Sequence, residues 1–469
     1  MGMIETVTKS MIREPARDIK VCKETDVIVV GGGPAGVAAA VASARNGADT
    51  VLVERYGHLG GLATGGLVIL IMPMSDENGV QQIAGLCDEV IERLDATGSS
   101  LHPKKEELGS RDPQIVKYWR FRGTGFFALE GQVTLNALFD PELLKCILND
   151  MVEEANVKLF LHSWGSRCIV DQNSVKGVVF ESKSGRQAIL GKTLIDATGD
   201  GDMYASAGAK FDAETNPTLR SSKLALIFRV GNVDYEKLNK FRESEPNRYA
   251  ELMTELETLG GFTMYLRSWR EDVVWFNNFL PGLHGLKIED LTWVEVNARK
   301  KMLITMDFFK KNIPGFEAAF IIDTASQVGV RATRRLIGEY VVTEEDLQSG
   351  KIHADTIAVI PARQWAPYLK SPLVYVPFRC LVPAKVENLL TAGRCFSSDQ
   401  VANDILAPIQ VCMTLGQAAG TAAALAIKNR VPPRNLEVPL LQTHLSAQGV
   451  PLPQQLFGQV PKPKKKLIL

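Results

Sequence analysis

Short apolar runs separated by glycine turns mark the beginning of the chain. Residues 26–30 (DVIVV) form a β-branched run that is typical of a buried parallel strand, and residues 50–53 (TVLV) form another. Between them, the small residues of 37–44 predict a helix that ends at Asn46-Gly47. The pattern therefore predicts a strand, a glycine turn, a helix and a second strand, with Glu54 directly after it.

The glycine turn has the spacing that a dinucleotide site requires. In the sequence GGGPAG, Gly31 permits a tight turn, Gly33 lets the backbone approach a pyrophosphate, and Gly36 lets the helix pack against the strand. The helix N-terminus adds free N–H groups and partial positive charge. Glu54 lies about twenty residues beyond Gly31, where an acid accepts hydrogen bonds from a ribose. The alternative is a glycine turn without a nucleotide, which the in-register strands, helix and acid disfavour.

Three further segments favour FAD over NAD. Residues 57–66 (GHLGGLATGG) form a second glycine loop, and the extended flavin needs close backbone approach over such a longer path. Residues 193–202 (TLIDATGDGD) predict a strand that ends in a glycine and aspartate turn, and 388–395 (NLLTAGRC) predict another strand and turn. We therefore expect the bound dinucleotide to be FAD.

A small-residue helix predicted over 408–427 follows the last of these turns. Pro408 suits the first helical position, where its missing N–H costs nothing. The helix start would face the flavin pyrimidine and stabilise negative charge there, so Ile409 and Gln410 are candidate cofactor-binding residues. Gly416 and Gly420 would allow close packing on neighbouring elements. The alternative is a core helix with a small-residue face.

These motifs resemble those of FAD-dependent oxidoreductases of the glutathione-reductase-like superfamily, with distant similarity to fumarate reductase and succinate dehydrogenase flavoproteins. The matching stretches are 26–66, 194–208, 328–343 and 376–427. The resemblance implies an α/β fold, in which a three-layer Rossmann-type FAD-binding domain carries an inserted α+β substrate or cap domain. It also implies that the FAD site is contacted or shaped by Gly31, Gly33, Gly36, Glu54, Gly60, Gly61, Gly199, Asp200, Gly393 and Arg394.

Two departures from the related sequences leave the substrate open. Many relatives carry an arginine where Gln410 stands, and an acidic, aliphatic and histidine stretch where 359–365 stands. The expected organisation is an FAD-binding domain from 21–66, 141–208 and 376–430, a substrate or cap domain from 67–140 and 209–375, and a C-terminal extension, 431–469, with a basic tail. The first of these includes an amphipathic helix predicted over 141–154 and strands over 157–162 and 175–181. Aromatic residues of the cap either line an apolar pocket or belong to the core.

Composition narrows the functional classes. Lys and Arg total 53 and Asp and Glu total 53, and this balance argues against nucleic-acid binding. The seven scattered cysteines form no CxxC pair, and no His/Cys spacing predicts a metal site. The apolar run 67–72 is too short to span a bilayer, and the N-terminal residues lack the apolar segment of a secretory signal. We expect a cytoplasmic enzyme; the sequence does not predict its oligomeric state.

The candidate chemical residues serve a flavin that reacts with a small organic substrate. Arg331, Arg334 and Arg335 are candidates for binding an anion. His58 is a candidate proton donor or covalent flavin attachment, or it caps backbone groups; Cys395 is a redox thiol or a small buried residue. His284 and His353 remain open as acids or bases.

The leading hypothesis is an FAD-dependent dehydrogenase, oxidase or reductase that moves a hydride between flavin and a small organic substrate. One alternative is a Rossmann enzyme resembling thiazole synthases, which binds an adenylated intermediate. The other is an assembly protein that keeps FAD without catalysis.

Overall fold

A seven-stranded mixed sheet carries the glycine turns at the carboxyl ends of its parallel strands. The computed structural model describes residues 5–8 and 11–457. In spatial order the sheet contains Lys158–Phe160, Thr50–Val53, Lys20–Val30, Gly185–Asp196, Ser174–Ser182 and Trp164–Asp171. The strand Leu389–Thr391 pairs with the last residues of Gly185–Asp196.

Parallel pairing brings three separate turns to one edge of the sheet. Val30 is in register with Val53 on one side and with Asp196 on the other, and Asp196 is in register with Thr391. The turns that follow these strands therefore meet, although they are far apart in sequence. Ligands of open parallel sheets bind at such carboxyl edges.

Two helices lie against this sheet in close contact with each other. Pro34–Arg45 follows the first glycine turn, and Ile409–Asn429 crosses it. A Cβ at Gly416 would lie 2.1 Å from the carbonyl oxygen of Ala35, and a Cβ at Gly420 would lie 2.0 Å from that of Ala39. The prediction that these two glycines permit close packing is confirmed.

The helix Ile409–Asn429 is long and apolar enough to cross a bilayer, and within the described residues it alone passes that test. Its most apolar window is 94% buried inside the protein. Every residue from Gln410 to Ala426 is buried. The helix is therefore part of the protein core.

A second, antiparallel sheet lies in the segment predicted as the cap. Its strands run in the order Tyr265–Arg267, Val274–Phe276, Phe228–Gly231 and Phe320–Thr324. The 25-residue helix Ile288–Asn312 contributes Phe309 to an aromatic cluster on this sheet. One continuous hydrophobic cluster contains residues of both sheets, so the two parts share a core.

The remaining elements are shorter. A three-stranded sheet contains Leu70–Ile71, Ala137–Phe139 and Ser100–Leu101. Paired strands are Glu5–Thr8 with Met11–Arg13, Ala128–Leu129 with Gln132–Val133, Phe211–Asp212 with Arg335–Leu336, Leu224–Ala225 with Gly329–Val330, and Thr356–Ile360 with Val374–Pro377. The other helices are Leu86–Ala96, Pro113–Arg122, Pro141–Glu154, Asp202–Ser206, Tyr235–Ser244, Pro246–Thr258, Glu344–Ser349, Gln400–Leu406, Val438–Ala447 and Pro453–Phe457.

The α/β fold class and most predicted elements are confirmed. The helix predicted over 141–154 has those bounds, and the strands predicted over 157–162 and 175–181 are present with shifted ends. Pro408 is the residue that precedes the helix, with extended backbone, and not its first helical residue. The division into an FAD-binding and a cap domain stays a prediction. The basic tail lies outside the described residues.

Candidate cofactor and substrate site

One large cavity opens at the carboxyl edge of the parallel strands and contains about 1940 Å³ of empty space, its open mouth included. One end is lined by the glycine turns and Glu54, and the other by side chains of the cap segments. Leu266 and Trp275, from two strands of the second sheet, are among the side chains of the cap segments that line it.

The first glycine turn leaves room for a ligand at one position only. Gly31 has a φ of +102°, and a Cβ there would lie 2.3 Å from the Ala197 oxygen. A Cβ at Gly36 would lie 1.7 Å from the Gly31 oxygen, so the helix start packs on the turn itself. At Gly33 the nearest atom to a Cβ is 4.0 Å away, and this glycine lines the cavity. The open space beside a helix N-terminus is where a diphosphate would fit.

Glu54 is buried beside this turn and holds its shape. Its Oε2 accepts a hydrogen bond from the Gly32 N–H at 2.5 Å, and its Oε1 accepts one from the Tyr56 N–H at 2.8 Å. The residue also lines the cavity. The same carboxylate can therefore support the glycine turn and meet a ribose hydroxyl.

The second glycine loop packs directly on the first. The Gly60 N–H donates to the Gly32 oxygen at 2.8 Å. Gly60 and Gly61 have φ values of +97° and +48°, and a Cβ at Gly61 would lie 2.9 Å from the Gly33 Cα. The two loops form one wall, as the FAD prediction requires.

An aromatic and cationic platform lies beside Glu54. The Arg55 guanidinium lies 4.9 Å from the centre of the Tyr56 ring and 5.1 Å from that of Trp164. All three residues line the cavity. Flat side chains of this kind can stack against an adenine.

The turns after the other two strands bring Gly199, Asp200, Gly393 and Arg394 to the cavity. Asp200 Oδ1 accepts a hydrogen bond from the Thr333 hydroxyl at 2.9 Å, and Arg394 Nη2 lies 3.5 Å from the same oxygen. The buried Arg394 Nη1 has no hydrogen-bond partner. Because a buried donor without a partner is costly, this atom indicates a ligand acceptor in the cavity.

The start of the helix Ile409–Asn429 forms the adjoining wall. Pro408, Ile409 and Cys412 line the cavity. No side chain caps the helix, so its first N–H groups remain available to a ligand. Burial raises the pKa of the Cys412 thiol to about 11, so the thiol stays neutral at physiological pH.

The wall formed by the two glycine loops, the unpartnered Arg394 donor and the uncapped helix start fit an extended FAD. The sequence pattern of the family described as FAD dependent oxidoreductase matches residues 26–445, which is most of the chain. The chain belongs to this family. Its cofactor is accordingly FAD, and the family is one of enzymes.

Individual relatives of this FAD-dependent oxidoreductase are distant. Digeranylgeranylglycerophospholipid reductase 2 from Methanopyrus kandleri is 26% identical over 180 residues, a stretch that spans 38% of each protein. A geranylgeranyl bacteriochlorophyll reductase-like protein from Thermoplasma acidophilum has 14% identity and a TM-score of 0.46, with 91% of this chain and 83% of that one covered. The p-nitrophenol 4-monooxygenase of Pseudomonas putida has 11% identity and a TM-score of 0.44, with 90% and 84% covered.

The other end of the cavity is mostly apolar. Its wall includes Leu70, Met72, Phe126, Leu266 and Trp275. The polar side chains among these apolar ones are few, which is the usual composition of a small-molecule pocket. An organic substrate would find mainly apolar contacts here.

Of the three predicted arginines, Arg331 alone lines the cavity. Arg334 donates to the backbone oxygen of Asp200 and to the carboxylate of Asp202, each at 2.9 Å. Arg335 is buried and bonds to Asp212. Arg334 and Arg335 therefore hold the turn and the neighbouring strand pair together.

Four other residues that the sequence suggested for chemical roles do not line the cavity. His58 Nε2 lies 3.3 Å from the Ser326 hydroxyl, and burial lowers the pKa of its imidazole. Cys395 is completely buried, and burial raises the pKa of its thiol, so it matches the interpretation as a small buried residue. His353 is buried near Asp346, and His284 lies in a surface turn.

Gln410 is the one cofactor candidate at the helix start that does not line the cavity. Its side chain is fully buried, and neither amide atom has a hydrogen-bond partner. The helical turn directs Ile409 and Cys412 into the cavity instead. Its predicted contact with the cofactor stays a prediction.

Sequence reasoning missed several residues that line the cavity, including Trp164, Arg220, Asn277, Phe279 and Gln327. None lies in a motif with fixed spacing. Asn277 and Phe279 follow the strand Val274–Phe276, whose apolar run was the available signal. Within the described residues, no cluster of three His, Cys, Asp or Glu side chains could hold a metal ion.

Proposed function

We propose that this FAD-dependent oxidoreductase moves a hydride between FAD and a small, largely apolar organic substrate. The observation that carries the proposal is the single cavity, in which a glycine-lined end continues into an apolar end. A flavin in the first part would meet a substrate in the second without solvent between them. FAD supplies the hydride chemistry when it is bound.

The chain's own residues bind and orient the two reactants. Glu54 would accept hydrogen bonds from the ribose, and the turn at Gly33 would lie against the diphosphate. Arg394 and the helix start at Ile409 would offer donors and positive potential to the flavin. Trp275 and Phe126 would exclude water from the substrate.

We also propose a direction for the reaction, namely hydride transfer from reduced FAD to the substrate. The Methanopyrus relative is named a reductase of a glycerophospholipid, so reduction of a lipid is the first activity to assay. A cytoplasmic location also stays part of the proposal, and the seven cysteines, which are all free thiols, support it.

The decisive experiment is the absorption spectrum of the purified protein. We expect a yellow protein whose cofactor, released by acid, is FAD, and whose absorption bleaches when a substrate or dithionite reduces it. A colourless protein that does not take up added FAD would contradict the proposal. Bound FAD that dithionite reduces but that no lipid or organic substrate turns over would favour the non-catalytic assembly protein.

A further inference from the structure

The cavity wall beside the helix start holds an arginine, Arg331, that forms no salt bridge with any described residue. Arg220 and Arg394 line the cavity together with Arg331. Arg394 lies 3.5 Å from Asp200, and Arg220 lies 3.9 Å from Asp404 and also donates to its backbone oxygen at 2.6 Å. Over residues 11–457, no acidic side chain comes within 4.0 Å of Arg331. Its guanidinium therefore has no salt-bridge partner among these residues, and Asp404 acts on it only from a greater distance.

Neutral groups hold the Arg331 guanidinium in place. Nη2 donates to Asn277 Oδ1 at 3.0 Å, and Nη1 donates to the Lys223 oxygen at 3.4 Å. The guanidinium carbon lies 4.3 Å from the centre of the Phe279 ring. These contacts fix the orientation of the cation without neutralising it, so it is preorganised for an anion.

The surroundings make an unpaired cation costly at this position. Burial lowers the pKa of Arg331, because apolar walls disfavour its charged form. Asn277 Nδ2 donates to no acceptor among the described residues, which leaves a second donor beside the guanidinium. An anionic oxygen would meet both donors and offset the desolvation of the charge.

We propose that Arg331 and Asn277 bind the anionic oxygen head group of an amphipathic substrate, whose apolar body lies along Leu70, Met72, Phe126 and Trp275. This inference rests on the proposed function, because it names the substrate class of the same cavity. The shared chemistry is a carboxylate or a phosphate ester joined to an apolar chain. The competing role for Arg331 is a contact with the flavin itself.

The test uses the FAD-loaded protein and four probes, each with eight carbons in a straight chain: octanoate, octyl phosphate, octanol and octyltrimethylammonium. Binding is measured by calorimetry and by the change in flavin absorption. We expect an anion to bind more tightly than octanol and the cation not to bind. Whichever of octanoate and octyl phosphate binds more tightly identifies the head group as a carboxylate or a phosphate ester.

Arg331→Met keeps an apolar chain of similar length and removes the charge. Loss of a charged hydrogen bond should weaken anion binding about 10- to 150-fold while octanol binding stays the same. Asn277→Leu should weaken anion binding less, and it serves as the test if Arg331→Met does not fold. Arg248→Met removes an exposed arginine that pairs only with Glu251, and it should change nothing.

Three results would overturn the inference. In the first, neither anion binds the yellow wild-type protein better than octanol. In the second, Arg331→Met leaves anion affinity unchanged. In the third, Arg331→Met shifts the potential of the ligand-free flavin and keeps the preference for anions, which would assign Arg331 to the flavin. A colourless wild-type protein would instead contradict the proposed function.

Discussion

The two ends of the cavity are built from different parts of the chain. Backbone forms much of the wall at the cofactor end, where the glycines of three turns meet at the edge of the sheet. Side chains line the substrate end, and they come from distant segments such as Met72, Phe126, Trp275 and Arg331. A wall of backbone excludes most residues at each position, whereas a wall of side chains accepts many combinations of similar volume. The cofactor end therefore has a sequence signature and the substrate end has none.

Even within the cofactor end, two glycines are needed for different reasons. Gly36 is required by the protein, because a Cβ would collide with the Gly31 oxygen. At Gly33 the protein itself leaves 4.0 Å of space, so we expect the ligand and not the protein to require a glycine there. Substitutions at Gly36 and Gly33 can therefore test whether a glycine is needed for folding or for FAD binding.

The largest effect is expected for Gly36→Ala. Overpacking typically costs about 1–3 kcal/mol, and a contact of 1.7 Å with a rigid backbone oxygen belongs at or above the top of that range. We expect a lower unfolding temperature even for protein stripped of FAD, measured by circular dichroism. Gly125→Ala, where a Cβ meets no atom within 4 Å, is the matched control and should unfold like the wild type.

Gly33→Ala should separate folding from binding. The FAD-free protein should unfold at the wild-type temperature, while its FAD content after gel filtration falls sharply. If Gly33→Ala and Gly36→Ala lower the unfolding temperature of the FAD-free protein equally, Gly33 serves packing. Full FAD retention by Gly33→Ala would place the diphosphate elsewhere.

A smaller effect is expected for Glu54→Ala. Loss of a charged hydrogen bond to the ribose costs about 1.5–3 kcal/mol, or roughly 10- to 150-fold in FAD affinity. The substitution also leaves the Gly32 and Tyr56 N–H groups without their acceptor, so it tests whether a side chain matters at the backbone-built end. FAD affinity is measured by fluorescence titration, with the exposed Glu92→Ala as control. Equal affinity in both variants would remove Glu54 from the ribose site.

The difference between the two ends also explains what the sequence could predict. Gly31, Gly36 and Glu54 act within one continuous strand, turn, helix and second strand, so the spacing between them is fixed and can be recognised in the sequence. The later turns at Gly199 and Gly393 follow apolar strands, and parallel pairing brings them to the same edge. The motifs within each segment, together with the general rule for where turns of parallel sheets meet, were therefore sufficient to predict this part of the fold.

The substrate end depends on tertiary packing that spacing does not encode. Three arginines in 331–335 were equivalent candidates in sequence, yet Arg334 and Arg335 pair with acids and only Arg331 reaches the cavity. The strand Gly329–Val330 ends just before Arg331 and sets its direction, whereas Arg335 belongs to another strand. Likewise, one residue along the helix separates Ile409 on the wall from Gln410 in the core.

The smallest effect is expected where the two ends of the cavity meet, at Ile409. This residue begins the helix Ile409–Asn429 and lines the cavity, so its N–H and the helix dipole would favour negative charge at the flavin. Ile409→Asp places a like charge there, which disfavours the additional negative charge of reduction. An acid in the first turn also suits a helix, so the variant should fold.

We expect Ile409→Asp to lower the flavin potential by several tens of millivolts, since 30 mV corresponds to about 1.4 kcal/mol for a two-electron couple. Ile409→Asn has nearly the same shape without the charge, and its smaller shift gives the contribution of polarity alone. Potentials are measured by titration against reference dyes in protein that retains FAD. If both variants keep the wild-type potential, the helix start does not face the flavin, and its burial in the core is sufficient reason for its small residues. A shift confined to Ile409→Asp shows that a charge at the helix start acts on the flavin, which places the partial positive charge of the helix where it can tune the cofactor.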